Sequence, residues 1–214
     1  MRKIWTLPLA ALLALVVAAP VAAGPNVGNY SSSVTMAQGS WSVYDEETGR
    51  YREGYLAVSQ EQGSTQAFAE FFQYGEQWIQ CTGTDTPDDP EDDTFGSITT
   101  YAYGWAPADL SIGKSNATAN ATASMDIGRD RYDGCTGEWT FEYFPAVAVS
   151  IELVATSGTV RESGRGSFHL PGEFNSHSSY RATYRFAEGT VTVGDTVPVW
   201  GMIGKVSWMD HSNS

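Results

Sequence analysis

The densest ligand chemistry in the chain is Asp85-Thr86-Pro87-Asp88-Asp89-Pro90-Glu91-Asp92-Asp93, six carboxylates within nine residues. Hard oxygen donors at this density suit Ca2+, which takes roughly six to eight of them. Two prolines exclude helix and central strand, so the segment reads as an exposed loop shortly after Cys81. Its spacing is not that of an EF-hand, because the turn glycine and the distal glutamate are missing. A run of like charges also stays solvated without any metal. Asp85, Asp88, Asp89, Glu91, Asp92 and Asp93 are therefore the metal candidates, Ca2+ is the one cofactor they suggest, and none is required.

Other chemistry is sparser. Asp126 to Gly134 is a second acidic stretch, in which Arg129 and Arg131 can neutralise the carboxylates locally. His169, Glu173 and His177 are four apart, but Pro171-Gly172 between them forbids the helix that would align them. Glu142 and Glu152 fall on strand-like runs where a glycosidase could place an acid pair, although solvation is the simpler expectation for both. Tyr101, Tyr103 and Trp105 alternate with Ala102, Gly104 and Ala106. With the small face inward, the rings would form a surface able to stack on sugars. With the rings inward they would be core, the arrangement expected of Trp139, Phe141 and Tyr143, since large apolar rings favour burial. Tyr101, Tyr103 and Trp105 are the candidate ligand contacts.

The elements that must position these groups read as β throughout. Val34 to Val43, Tyr51 to Ser59, Trp139 to Tyr143, Val147 to Leu153 and Tyr180 to Phe186 alternate with period two, as half-buried antiparallel strands do. Glycine and turn residues punctuate them, Asp45-Glu46-Glu47-Thr48-Gly49 being the clearest hairpin signal. The expected fold is an all-β antiparallel β-sandwich of about ten to twelve strands. A faint echo of Ser40-Trp41-Ser42-Val43 in Ser124-Met125-Asp126-Ile127 would divide the chain near residue 115 into related halves. One shared core over 34–211 is the preferred arrangement.

Export frames the rest. Arg2 and Lys3 precede the apolar run Leu9 to Ala19, and Val21-Ala22-Ala23 supplies the small residues of a cleavage site, so 1–23 reads as a removed signal peptide. Residues 24–33 then read as a flexible lead. Outside the cytoplasm, Cys81 and Cys135 are expected to form one disulfide. Losing Arg2 and Lys3 with the leader takes the formal charge from −13 to −15. Such a field opposes nucleic acid and anionic membranes. No nucleophile elbow, phosphate loop or dinucleotide fingerprint occurs, so no catalytic residue is assigned. The expected protein is a secreted or periplasmic monomer, a non-catalytic binding or surface module for a glycan or an extracellular protein, with no membrane association after leader removal. A secreted polysaccharide hydrolase with paired carboxylates and a structural coat protein are the alternatives.

Overall fold

The computed structural model describes residues 28–82, 94–170 and 174–213. They form nine antiparallel strands: β1 (Gly28–Asp45), β2 (Arg50–Glu61), β3 (Ala67–Thr82), β4 (Thr94–Ile112), β5 (Thr118–Asp133), β6 (Glu138–Ala155), β7 (Val160–Leu170), β8 (Phe174–Val193) and β9 (Asp195–Asn213). The all-β antiparallel expectation holds, with fewer and longer strands than ten to twelve. Gly28 to Ser33, expected as flexible lead, belong to β1, where they pair with Ser207 to Ser212 of β9.

The sheet closes on itself. Its order is β6-β5-β4-β3-β2-β1-β9-β8-β7, and a further pairing joins β6 to β8, from Val149↔Val193 to Ala155↔Ala187. The described residues therefore form one ring of strands rather than the two packed sheets of a sandwich. β6 and β7 share one place in that ring. After Ala155 the chain breaks at Thr156 to Thr159, and β7 then continues along β8, from Val160↔Tyr184 to Leu170↔Phe174. Ser157 pins the break: its hydroxyl accepts from the Phe186 amide at 2.8 Å, and its carbonyl accepts from Arg185 Nε at 2.7 Å. Carried once round the ring, the registers return to β1 displaced by about ten residues, the stagger of a tilted eight-position barrel.

Closure explains which faces are buried. A barrel of about eight strands has an interior just wide enough to be filled by side chains. Here it is filled by a few large residues, among them Trp41, Leu56, Phe71, Met125, Ile151, Leu153 and Ile203, set against Ala37, Ala67, Ala69, Ala102, Ala106, Ala119 and Ala121. Trp41 stacks on Phe71 with centroids 6.2 Å apart. Alanine lines the walls where a second large residue would not fit. The bulkier rings of β3 and β4 are consequently left on the outside.

Two turns at one end of the barrel are built alike. Tyr44-Asp45-x-x-Thr48-Gly49 joins β1 to β2, and Tyr132-Asp133-x-x-Thr136-Gly137 joins β5 to β6. In each, one aspartate oxygen accepts the amides two and three residues on, at 3.0 and 3.4 Å, and the glycine has positive φ. Beside the second turn lies the disulfide Cys81–Cys135, with Cα atoms 5.1 Å apart. It passes over Gly96 of β4, where a Cβ would lie 2.7 Å from the Cys81 sulfur. The absent side chain is what lets β3 be tied to the β5–β6 turn across the strand between them.

Candidate functional site

Directly opposed residues of an antiparallel pair share a face, so the registers assign each side chain to the inside or the outside of the ring. Tyr55, Phe72 and Tyr103 stand opposite one another on β2, β3 and β4. Glu53, Tyr74 and Tyr101 form the next row, and Ala57, Glu70 and Trp105 the row on the other side. All lie outward. Thus Ala102, Gly104 and Ala106 turn in, and Tyr101, Tyr103 and Trp105 turn out. Trp105 is 71 % exposed, Tyr103 is 37 % exposed and Tyr101 is half-buried.

The rings are in register with one another. Tyr55 stacks on Phe72 at 6.0 Å, Tyr74 meets Tyr101 at 5.5 Å, and Tyr51 meets Tyr74 edge-on at 6.4 Å. The surface continues onto β6 through Gly128 of β5, which stands between Tyr103 and Tyr143. A Cβ on Gly128 would lie 3.1 Å from the Phe141 ring and 3.3 Å from that of Tyr103, so glycine allows those rings to close over the strand. Trp139, Phe141 and Tyr143, expected as core, are instead exposed. The reason is a bulge: between Met125↔Val147 and Ile127↔Phe144 β6 carries one extra residue, so Trp139, Phe141 and Tyr143 fall on the outer face although the buried Val149, Ile151 and Leu153 continue their alternation. β6 before Val147 also pairs only with β5. No second layer reaches that half of the strand.

Carboxylates are interleaved with the rings, and Glu53, Glu70 and Glu76 each accept a phenol hydrogen bond. Tyr51 donates to Glu53 at 2.6 Å, Tyr55 to Glu70 at 2.7 Å and Tyr74 to Glu76 at 3.1 Å. Burial first, then the bond to Glu70, drives the Tyr55 phenol well above its usual range. Tyr143 donates to Asp126 in the same way, and that bond is the main cause of the lowered Asp126 carboxyl. Around Trp105 the outer face dips into a shallow hollow of about 390 Å³ walled by Ala57, Ser59, Phe68 and Glu70. Glu70 binds Tyr55 through Oε1. An indole face, a phenyl ring and a carboxylate are thereby gathered within one hollow.

The second acidic stretch is occupied with local bonds. Arg129 pairs with Glu142 and lies 4.8 Å from the centre of the Phe144 ring, Arg131 pairs with Asp133 at 3.4 Å, and Asp133 caps its own turn. With Arg50 and Arg52 these arginines form a group at the end of the barrel that carries the two matching turns. Arg52 pairs with Asp195 at 2.9 Å. Burial, and then the nearby Arg52 and Arg129, lower the Arg50 guanidinium. Glu142 and Glu152 lie on the same strand ten residues apart, roughly 30 Å in extended chain, against the ~5–10 Å that a glycosidase pair requires.

Asp85, Asp88, Asp89, Glu91, Asp92 and Asp93 lie outside the described residues, as does Glu173. Among the described residues no group of three or more His, Cys, Asp or Glu is placed to hold a metal. His177 stands opposite His211 across β8 and β9, a proximity that the His169–His177 spacing did not suggest. Sequence reasoning also missed the Tyr–carboxylate pairs, although Tyr51-x-Glu53 and Tyr74-x-Glu76 place both partners on one face of a strand.

No protein-family model matches the chain, and no curated protein is found to resemble it. Among solved structures, the chain is similar to the crystal structure of the β domain of the Bordetella autotransporter BrkA. That match has 10 % identity over 88 % of this chain and 100 % of the other, with a TM-score of 0.20, too low to carry an argument. No helix among the described residues is long and apolar enough to cross a membrane.

Proposed function

We propose that this protein is an exported, non-catalytic binding module whose outer face over β2–β4 grips a neutral glycan. One observation carries the reading: Trp105 stands 71 % exposed beside Phe68 and Glu70 in a hollow on an outer face rich in aromatic rings. An indole face packs against the apolar face of a pyranose ring, while a carboxylate accepts hydrogen bonds from the sugar hydroxyls. The acidic residues among the rings disfavour an anionic ligand at this place. The leader-like N-terminus supports action outside the cytoplasm.

Two features weigh against the same rings facing lipid. Membrane barrels carry an apolar outer band around a polar interior. Here Glu53, Glu70 and Glu76 interrupt the outer face, and Ala, Val, Leu and Ile fill the inside. The hydrolase alternative lacks a carboxylate pair at working distance in Glu142 and Glu152.

The test is affinity electrophoresis through gels cast with neutral polysaccharides, using the mature oxidised protein. Retardation by at least one of them is expected, with Trp105→Ala weakening it roughly tenfold, as loss of an aromatic anchor worth about 1–2 kcal/mol would. Unretarded migration throughout, or a Trp105→Ala variant that binds like the parent, would sink the proposal. So would partition of the parent protein into detergent micelles or liposomes.

A further inference from the structure

We infer a second binding site, distinct from the aromatic face, for a linear polyanionic polysaccharide carrying sulfate or carboxylate groups. It lies on β7, β8 and β9 beyond the point where β6 closes the ring, on the face that continues the barrel interior. Arg161, Thr183 and Lys205 stand opposite one another there. Ser163, Arg181 and Ser207 form the next row, and Arg165 stands in the row after that. Arg161, Arg165, Arg181 and Lys205 are all exposed. Among the described residues none of the four has an ion pair.

The segregation on these strands is complete. Residues alternating onto this face between 161 and 167, 177 and 185, and 205 and 211 include no Asp or Glu. Glu162 sits on the opposite face, where it accepts a hydrogen bond from Tyr184 at 2.6 Å. A chain of formal charge −13 thus presents a cationic surface, its charges separated by hydroxyls. Backbone spacing puts Arg161 about 10 Å from Lys205 across two strands and about 13 Å from Arg165 along its own. That is a flat grid of guanidinium and ammonium donors with Ser and Thr between them. Guanidinium binds sulfate or carboxylate through paired N–H donors, and the hydroxyls suit the sugar hydroxyls between charges.

The face offers nucleic acid little beyond charge. Its only rings among the described residues are the imidazoles of His177 and His211 at one edge, with no Phe, Tyr or Trp to form a stacking platform, and the acidic remainder of the molecule repels a duplex longer than the patch. A single polysaccharide strand can lie along the grid without approaching that remainder.

The experiment is retention of the mature oxidised protein on sulfated dextran, carboxymethyl dextran and neutral dextran, with elution by NaCl. Salt-sensitive binding to a charged matrix, beyond any retention on neutral dextran, is expected, and the two charged matrices separate sulfate from carboxylate recognition. Four neutralised charges predict an affinity that falls by roughly a hundredfold between 50 and 200 mM salt. The variant Arg161→Gln, Arg165→Gln, Arg181→Gln, Lys205→Gln, whose changes are all exposed, should lose retention while keeping its unfolding midpoint. Trp105→Ala should be retained like the parent, which separates this site from the glycan face. Flow-through of the parent at low salt, equal retention of the quadruple variant, or tighter binding to duplex DNA than to either charged dextran would overturn the inference.

Discussion

The barrel carries two groups of arginines that differ in pairing: three of the four in one group hold a carboxylate, and none of the three in the other does among the described residues. At the end with the matching turns, Arg52, Arg129 and Arg131 each meet a carboxylate of β9, β6 or β5. On β7–β9, beyond the closure, Arg161, Arg165 and Arg181 have no such partner among the described residues. The residue type is the same and the strand geometry is the same. What differs is the carboxylates within reach: Glu142 opposite Arg129 across β5 and β6, Asp133 two residues along from Arg131, and Asp195 of β9 beside Arg52. Net charge therefore says little about what this molecule attracts at a given place, because an acidic total coexists with an uncompensated basic face.

Experiments that act on one end and spare the other would sharpen this contrast. The largest effect should come from Cys81→Ser with Cys135→Ser, which removes a link across 54 residues and is expected to cost about 4 kcal/mol in the chain-entropy model. Amide exchange in 128–144 should rise beyond the loss common to the whole fold, while 149–155, held between β5 and β8, should lose only that common part. Equal loss of protection in both would mean that the disulfide supports the whole barrel rather than its arginine-paired end. Next comes Ile151→Ala at the closure itself, where the side chain is fully buried. A loss of about 3 kcal/mol in urea unfolding is expected, and a loss below ~1 kcal/mol would mean that the β6–β8 contact does not close the ring.

Alkaline unfolding should report on the unpaired end. The bond to Glu162, and then burial, push the Tyr184 phenol up to about 12 from 10.0. A phenol held protonated in the fold contributes stability that is full below pH ~10 and lost as pH rises through the raised value. The advantage of the parent over Tyr184→Phe in urea midpoint should therefore be constant to about pH 10 and gone beyond about pH 12. A difference that does not change with pH would remove Glu162 from the account. Smallest is the direct comparison of arginines. Arg129→Gln should cost at most about 1 kcal/mol, as expected for an exposed ion pair. Arg181→Gln should cost nothing measurable or stabilise slightly at low salt, since it relieves like-charge repulsion. Equal losses from the two would erase the distinction between the ends.

Much of the architecture was legible in the residues, and its limits have physical causes. Period-two alternation identified strands because side chains leave a strand alternately on two sides. It could not tell inside from outside where neither face is charged. Tyr101, Tyr103 and Trp105 face outward because a closed ring has room for Ala102, Gly104 and Ala106 but not for three more rings. Trp139, Phe141 and Tyr143 look like a core strand by pattern and are exposed because a one-residue bulge in β6 turns them to the outer face, away from the parity of Val149, Ile151 and Leu153. The Tyr-Asp-x-x-Thr-Gly turns are a repeat of residue identities, legible in the sequence because each turn is held by its own aspartate and glycine. The cationic face was unreadable, since its members are spread from 161 to 205 and meet only by pairing.

By itself the sequence determined an antiparallel β protein with two cysteines suited to one bridge and a leader-like start. These follow from local rules: side-chain alternation, turn chemistry, and a short apolar run behind two basic residues. Only the tertiary structure decided that the strands make one closed ring rather than two layers, and hence which rings and which arginines meet solvent. Closure depends on a short β6–β8 ladder between residues 149 and 193, and a contact so distant in sequence leaves no trace in the spacing of neighbours.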